Sequence, residues 1–167
     1  MLVAPDPPLT DWEIVLRLRR EEDVPLIAAA SHDPDTQRWL EDEPMTPERE
    51  AGSVARAAEQ WRSGTGAPFV VADAGDDRPL GLLNLQLGDV ATLAVSVFPE
   101  ARGRGIAPRA LRLGATWGLR ELGLERVVAE ADAGNAASIR AIQKAGFRRE
   151  GSRGDKTTFV LLADDVA

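Results

Sequence analysis

The run Leu93-Ala-Val-Ser-Val-Phe-Pro-Glu-Ala-Arg-Gly-Arg-Gly-Ile-Ala107 constrains this chain more than any other segment. An apolar, β-prone stretch stops at Pro99. A turn punctuated by Gly103 and Gly105 follows, and a helical pattern then runs from Ile106 to about Leu122. Strand, glycine turn and helix N-terminus in succession make an anion cradle. The first-turn N–H groups have no intrahelical partner, the helix dipole adds positive potential, and the glycines let backbone approach a ligand closely. Arg102 and Arg104 add formal charge. The natural guest is a phosphate or a diphosphate.

Two common nucleotide fingerprints do not match. A Walker loop needs Gly-x-x-x-x-Gly-Lys-Ser/Thr, and none is present. The dinucleotide fingerprint Gly-x-Gly-x-x-Gly meets Pro108 at its third glycine, and the turn lies mid-chain rather than in an opening βαβ unit. Arg102-x-x-Gly105-x-Ala107 instead resembles the pyrophosphate-binding motif of the GNAT family of acyl-CoA-dependent N-acyltransferases. By itself this hexapeptide reads equally as a charged surface turn entering a helix. Downstream, Asn135-Ala-Ala-Ser138 opens a helical stretch ending at Lys144-Ala-Gly146-Phe147, which looks like the GNAT element Asn-x-x-Ser/Ala followed by Gly-Phe. Asn135 and Ser138 also serve as helix caps, and Gly146 as a C-terminal stop. Capping alone does not explain both signatures in this order, with the strand Val127–Asp132 between them. The resemblance extends to Leu16-Arg-Leu-Arg19, to Asp33-Pro-Asp-Thr-Gln-Arg-Trp39, to Pro44-Met-Thr46 and to the tail from Asp155 to Asp165. These look like the branch that includes the ribosomal-protein N-terminal (alanine) acetyltransferases.

Length and composition are compatible with that resemblance. A chain of 167 residues, 44% hydrophobic and 28% charged, suffices for one domain with a sizeable core. Without Cys there is no disulfide, thiolate metal site or cysteine nucleophile, and no metal is expected. No apolar run reaches membrane-span length, and the start Met1-Leu-Val-Ala-Pro-Asp-Pro-Pro8 lacks the features of a signal peptide. A cytoplasmic protein with no membrane partner is expected. The formal charge of −7 argues against a nucleic-acid partner.

Residues 1–10 read as an irregular arm and residues 11–167 as one domain. The pattern predicts a strand over Ile14–Arg19, a helix over Glu21–Ser31 and a short helix through Trp39. A helix capped by Thr46, with Pro47 at its first position, should run to Ser63-Gly-Thr-Gly66. Strands follow at Phe69–Ala72, Leu80–Leu87 and Val90–Phe98, the last two joined through Gly88-Asp89. Beyond the motif helix come Val127–Asp132, a helix ending at Ala145, Phe147–Glu150, a turn over Gly151–Gly154 and Thr157–Leu162. This order, β-αα-βββ-α-β-α-ββ, is α+β. It predicts a mixed, mostly antiparallel sheet of about seven strands with helices on both faces. The crossover helix 106–122 makes its flanking strands parallel.

The resemblance implies that those two strands splay apart and that the pantetheine arm of acyl-CoA lies between them. On matching positions it is held by the backbone of Val95 and Val97. The pyrophosphate would rest on Arg102, Gly103, Arg104, Gly105, Ile106 and Ala107, with Asn135 also contributing to coenzyme binding. The co-substrate is acetyl-CoA, the partner is an amine acceptor, and a homodimer is an analogy with the family.

Direct acyl transfer needs a neutral amine, a donor for the developing oxyanion and a proton for the departing thiolate. The N–H of Val97 would be the oxyanion donor. Many GNAT enzymes protonate the thiolate with a tyrosine, but the matching residue is Ile142 and the chain has no Tyr. Ser138 is the candidate general acid, as proposed for the enzymes the chain resembles. Glu130 is the weaker candidate base; it shares a strand face with Asp132. Glu41, Asp42 and Glu43 fall in a loop that borders the acceptor cleft in this family, and Asp155 is a doubtful counterpart of a base on a longer hairpin. Each of these carboxylates also reads as solvated surface. His32 reads as surface, and the tryptophans at 12, 39, 61 and 117 as core, with Trp39 a candidate cleft residue. An α-amino group titrates near ~7.8 and lysine near ~10.4, so neutralising lysine costs about 3.5 kcal/mol more. A site without an evident strong base therefore leans to an α-amine or another weakly basic amine. The alternative is a non-catalytic acyl-CoA-binding or regulatory module, and a nucleotide-binding protein stands behind both.

Overall fold

The computed structural model describes residues 1–40 and 43–166. Eight strands form one sheet in the order β1-β2-β3-β4-β5-β6-β8-β7. They are β1 (Leu9–Thr10), β2 (Ile14–Arg17), β3 (Gly66–Asp73), β4 (Pro79–Leu87), β5 (Ala91–Val97), β6 (Arg126–Asp132), β7 (Arg148–Arg153) and β8 (Lys156–Leu162). Every neighbouring pair is antiparallel except β5 and β6, which are parallel. The helices are α1 (Val24–Ser31), α2 (Pro34–Leu40), α3 (Pro47–Ala51), α4 (Ser53–Ser63), α5 (Ile106–Glu121) and α6 (Ala136–Lys144). No helix among the described residues is long and apolar enough to cross a membrane.

Helices cover both faces because successive strand residues point to opposite sides. Leu83 of β4 packs in the main core with Leu111 of α5, whereas its neighbour Leu82 packs with Ile27 and Ala30 of α1 and with Phe98. On the first face, Trp61 of α4, Phe69 of β3 and Trp117 of α5 interlock edge to face, with centroids 5.2 Å and 5.4 Å from Phe69. Small residues let α5 lie close to the sheet. A Cβ on Gly114 would strike Leu83, and one on Gly118 would stand 3.2 Å from Leu85.

The sheet has eight strands, against the expected number of about seven. Within the arm read as irregular, Leu9 and Thr10 pair with Leu16 and Val15 to form β1, a pairing too short to leave a periodic signal. Upstream, the Leu2 N–H donates to the Trp61 carbonyl at 2.9 Å, and Leu2 and Ala4 pack on the core. Of the four tryptophans read as core, Trp61 and Trp117 are buried, Trp39 is only half-buried, and Trp12 departs outright. It is 88% exposed, at the tip of the β1–β2 hairpin, with φ +77°. The Thr46-capped helix does form, with Thr46 Oγ1 accepting from the Arg49 N–H, but Gly52 divides it into α3 and α4. The expected turn at Gly151–Gly154 lies further on: Gly151 pairs with Thr158 after a bulge, and the chain reverses between Arg153 and Lys156.

Candidate functional site

Among the described residues, β5 and β6 meet in register only at Thr92 and Val128, near the start of each strand. Toward their C-terminal ends they part. The Phe98 N–H donates to the Leu80 carbonyl at 2.8 Å. Alternation along β5 therefore directs the backbone polar groups of Ala94 and Ser96 toward β4, and those of Val95 and Val97 toward the gap. Both residues expected to offer free backbone thus lie on the open edge of β5.

A cleft of about 440 Å³ occupies this region, floored by Val95 and Val97 and closed at one end by the glycine turn and the first turn of α5. On its other side are Asn135, Ala137, Ser138 and Ala141 of the α6 segment, where two alanines one turn apart leave room that larger side chains would fill. Gly103 and Gly105 adopt φ +76° and +72°, left-handed values that other residues resist, and a Cβ at either would meet open space. Their role is conformational. They turn the chain so that the α5 N-terminus, capped by no side chain, faces the cleft. Open space over positive-φ glycines, beside a helix N-terminus, fits a diphosphate group, with Arg102–Ala107 around it.

The two arginines of the turn do not stand free. Arg102 donates to Asp33 Oδ2 at 2.7 Å and lies 3.7 Å from Asp35, both at the start of α2. Its guanidinium, followed by the Thr36 N–H, holds the Asp33 carboxyl below the usual carboxylate range. Arg104 is 3.6 Å from Asp73. Asp33, Asp35 and Thr36 entered the sequence reading only as part of the segment that carries the family resemblance, with no role assigned at the glycine turn. Asp-Pro-Asp-Thr announces a capped helix start, but no local pattern announces a partner in the glycine turn.

Asn135 caps α6: its Oδ1 accepts from the Ser138 N–H at 3.2 Å. A second, small cavity of about 80 Å³ adjoins the cleft and shares Trp39, Val95, Asn135 and Ser138 with it. Ser138 thus stands where the two spaces meet. Glu130 and Asp132 line the small cavity together, as their alternation predicts. Glu130 is engaged with Arg153 at 3.0 Å, and Asp132 lies 4.0 Å from Lys156. Ile142 is buried one turn beyond Ser138.

A third cavity, of about 390 Å³, opens on the α1 face and shares Thr36 and Ser96 with the cleft. Glu43 lines it. Glu41 and Asp42 lie outside the described residues. His32 is exposed at the end of α1, and Asp155 is exposed in the β7–β8 turn, where its carbonyl accepts from the Ala133 N–H.

The model of the acetyltransferase (GNAT) domain family matches residues 13–148. A Bacillus subtilis protein described as a probable N-acetyltransferase, YjcK, is 35% identical over 88 residues; the match covers 50% of this chain and 49% of that protein. Similar solved structures include a GNAT-family acetyltransferase from Bacillus anthracis (TM-score 0.81, 18% identity, covering 94% of this chain and 99% of that one). Another is the spermidine N-acetyltransferase from Vibrio cholerae in complex with CoA and spermine (0.78, 18%, 92% and 98%). A third is the ribosomal-protein-S5-alanine acetyltransferase from Vibrio fischeri (0.76, 21%, 93% and 96%). With the family match spanning most of its length and the splayed β5–β6 pair at its centre, this chain belongs to the GNAT acetyltransferase family.

Proposed function

We propose that this chain is an N-acyltransferase that moves an acetyl group from acetyl-CoA directly to a primary amine. The observation that carries the reading is the edge of β5: backbone groups of Val95 and Val97 face a cleft joining the glycine turn to Ser138. Bound acyl-CoA supplies an activated thioester carbonyl. The residues around it have three tasks. Amides of the glycine turn and the α5 N-terminus hold the diphosphate. Backbone groups of Val95 and Val97 fix the arm, and the Val97 N–H serves as oxyanion donor. The Ser138 hydroxyl, at the junction of two cavities, donates to the departing sulfur.

The amine enters from the small cavity or from the α1 face. Glu130 is the candidate base in the small cavity, but its carboxylate is already paired with Arg153. That ion pair leaves the cleft without an evident free base, which favours an α-amine or another amine of low basicity over lysine. The polyamine and ribosomal-protein enzymes among the similar structures mark two acceptor classes to try first.

A thiol-release assay with acetyl-CoA across a panel of N-terminal peptides, polyamines and aminoglycosides tests the proposal. Turnover on at least one amine supports it. Binding of acetyl-CoA without release on every amine points instead to a non-catalytic coenzyme-binding module. Failure to bind acetyl-CoA removes both.

A further inference from the structure

The 20 basic residues of this chain include only two lysines, Lys144 and Lys156. Lys144 is exposed in the last turn of α6. Lys156 is half-buried and lines the small cavity of about 80 Å³ together with Ser138 and Val95. From the glycine turn, the open edge of β5 runs back through Val97 and Val95 to Leu93 in this cavity, and the gap closes where Thr92 meets Val128. Lys156 stands directly opposite Asp132 in the β6–β8 pairing, with its Nζ 4.0 Å from Asp132 Oδ2. The other carboxylate oxygen accepts from the Gly134 N–H at 3.3 Å. An amine of the chain itself, with a carboxylate beside it, is thus part of the wall that also carries Ser138.

We propose that Lys156 is an acceptor in cis, so that the chain N-acetylates its own side chain from acetyl-CoA when no external amine is present. The assignment rests on the acyl-CoA reading of the cleft, under which a thioester carried along the β5 edge ends in this cavity. One ammonium proton passes to Asp132 Oδ2 and on to solvent. The Nζ lone pair attacks the thioester carbonyl carbon; the C–N bond forms and the C–S bond breaks. Nitrogen loses its second proton as Ser138 relays one to the departing sulfur. The products are one acetyl-lysine, one CoA thiol and one free proton. Lysine amines titrate near ~10.4, so about one in 10³ is neutral at pH 7.4. That disadvantage weighs on a free acceptor. For a tethered one it is offset, because well-oriented groups held together reach effective molarities of about 10⁵ M or more.

Incubating the full chain with acetyl-CoA and no added amine, followed by peptide mass spectrometry, tests this. Lys144 is the internal reference, because uncatalysed acetylation favours the more exposed amine. Lys156 should gain its acetyl group about tenfold faster than Lys144 or more, at a rate per chain that does not change with protein concentration. Thiol release should stop at one equivalent per chain. Lys156→Arg keeps a cation beside Asp132 and removes the nucleophile; checked as folded by its melting temperature, it should release no such equivalent. Labelling of Lys144 as fast as Lys156 overturns the assignment, and so does a rate that rises with protein concentration. An unlabelled Lys156 in a chain that calorimetry shows to bind acetyl-CoA overturns it while leaving the acyl-CoA reading intact. A chain that binds no acetyl-CoA loses both.

Discussion

Arg102 in the glycine turn donates to Asp33 Oδ2 at 2.7 Å, joining the start of α2 to the cleft beside β5 across 69 residues. The same oxygen accepts from the Thr36 N–H and hydroxyl, so one carboxylate both caps α2 and neutralises the turn. A diphosphate arriving at the turn therefore competes with Asp33 for Arg102. Replacing Asp33 with Asn keeps a capping oxygen and releases the arginine. The variant should bind acetyl-CoA about threefold to fivefold tighter at low salt, with little difference at high salt. Calorimetry at two ionic strengths decides it; weaker binding would mean that Asp33 holds Arg102 in its productive position.

Ser138 tests the chemistry separately from the binding. Its N–H is the group that Asn135 caps, so Ser138→Ala preserves the α6 N-terminus and removes only the hydroxyl. Turnover should fall about 10²-fold with acetyl-CoA affinity unchanged. Comparing kcat with a directly measured Kd separates the two effects. Unaltered kcat would remove the hydroxyl from proton transfer.

Sequence reading succeeded where the determining physics is local. Pro99, Gly103 and Gly105 bracket a turn through their own backbone restrictions, and α5 runs Ile106–Glu121 against an expected 106–122. The Thr46–Pro47 helix start is equally local. Long-range partners left no such trace. Nothing near Arg102 announces Asp33, and nothing near Glu130 announces Arg153. The β7 bulge also misled, because Gly151 looks like a turn residue until its pairing with Thr158 is seen. Trp12 was assigned by its apolar character, but a two-residue β1 places it at a hairpin tip in solvent.

Gly81 lies opposite Val97 where β4 supports the open edge of β5. A Cβ there would collide with the Ser96 carbonyl oxygen and stand 3.1 Å from the Val97 Cα. These are backbone atoms, so no side-chain rotation relieves the clash. Gly81→Ala should cost about 2 kcal/mol or more and weaken acetyl-CoA binding by displacing Val95 and Val97. Gly88→Ala, whose Cβ would meet nothing within 4 Å, is the control. Urea unfolding and coenzyme titration of both variants check this, and equal behaviour would mean that β5 yields without consequence.

Arg17 and Asp23 are buried charges, 6% and 2% exposed, joined by two hydrogen bonds of 2.8 Å and 2.9 Å. Arg17 also reaches Asp77, so the pair ties β2 to the turn before α1 and to the β3–β4 loop. Burial pushes the Asp23 carboxyl up, but the Arg17 guanidinium and the Arg20 N–H outweigh it and hold the group below its ordinary value. A carboxyl with a depressed folded pKa stabilises the fold at pH above its unfolded value, near ~3.9. That contribution is lost as pH falls toward the lower folded value. The chain should therefore lose stability progressively below about pH 4, and Asp23→Asn should be less stable at pH 7 with a shallower acid slope. Arg17→Met, which strands the Asp23 charge in the core, should cost about 3–5 kcal/mol at pH 7 and less in acid, where Asp23 can take up a proton. Urea denaturation of the three proteins between pH 3 and pH 7 measures both slopes; parallel curves would show that this pair does not govern the acid limb.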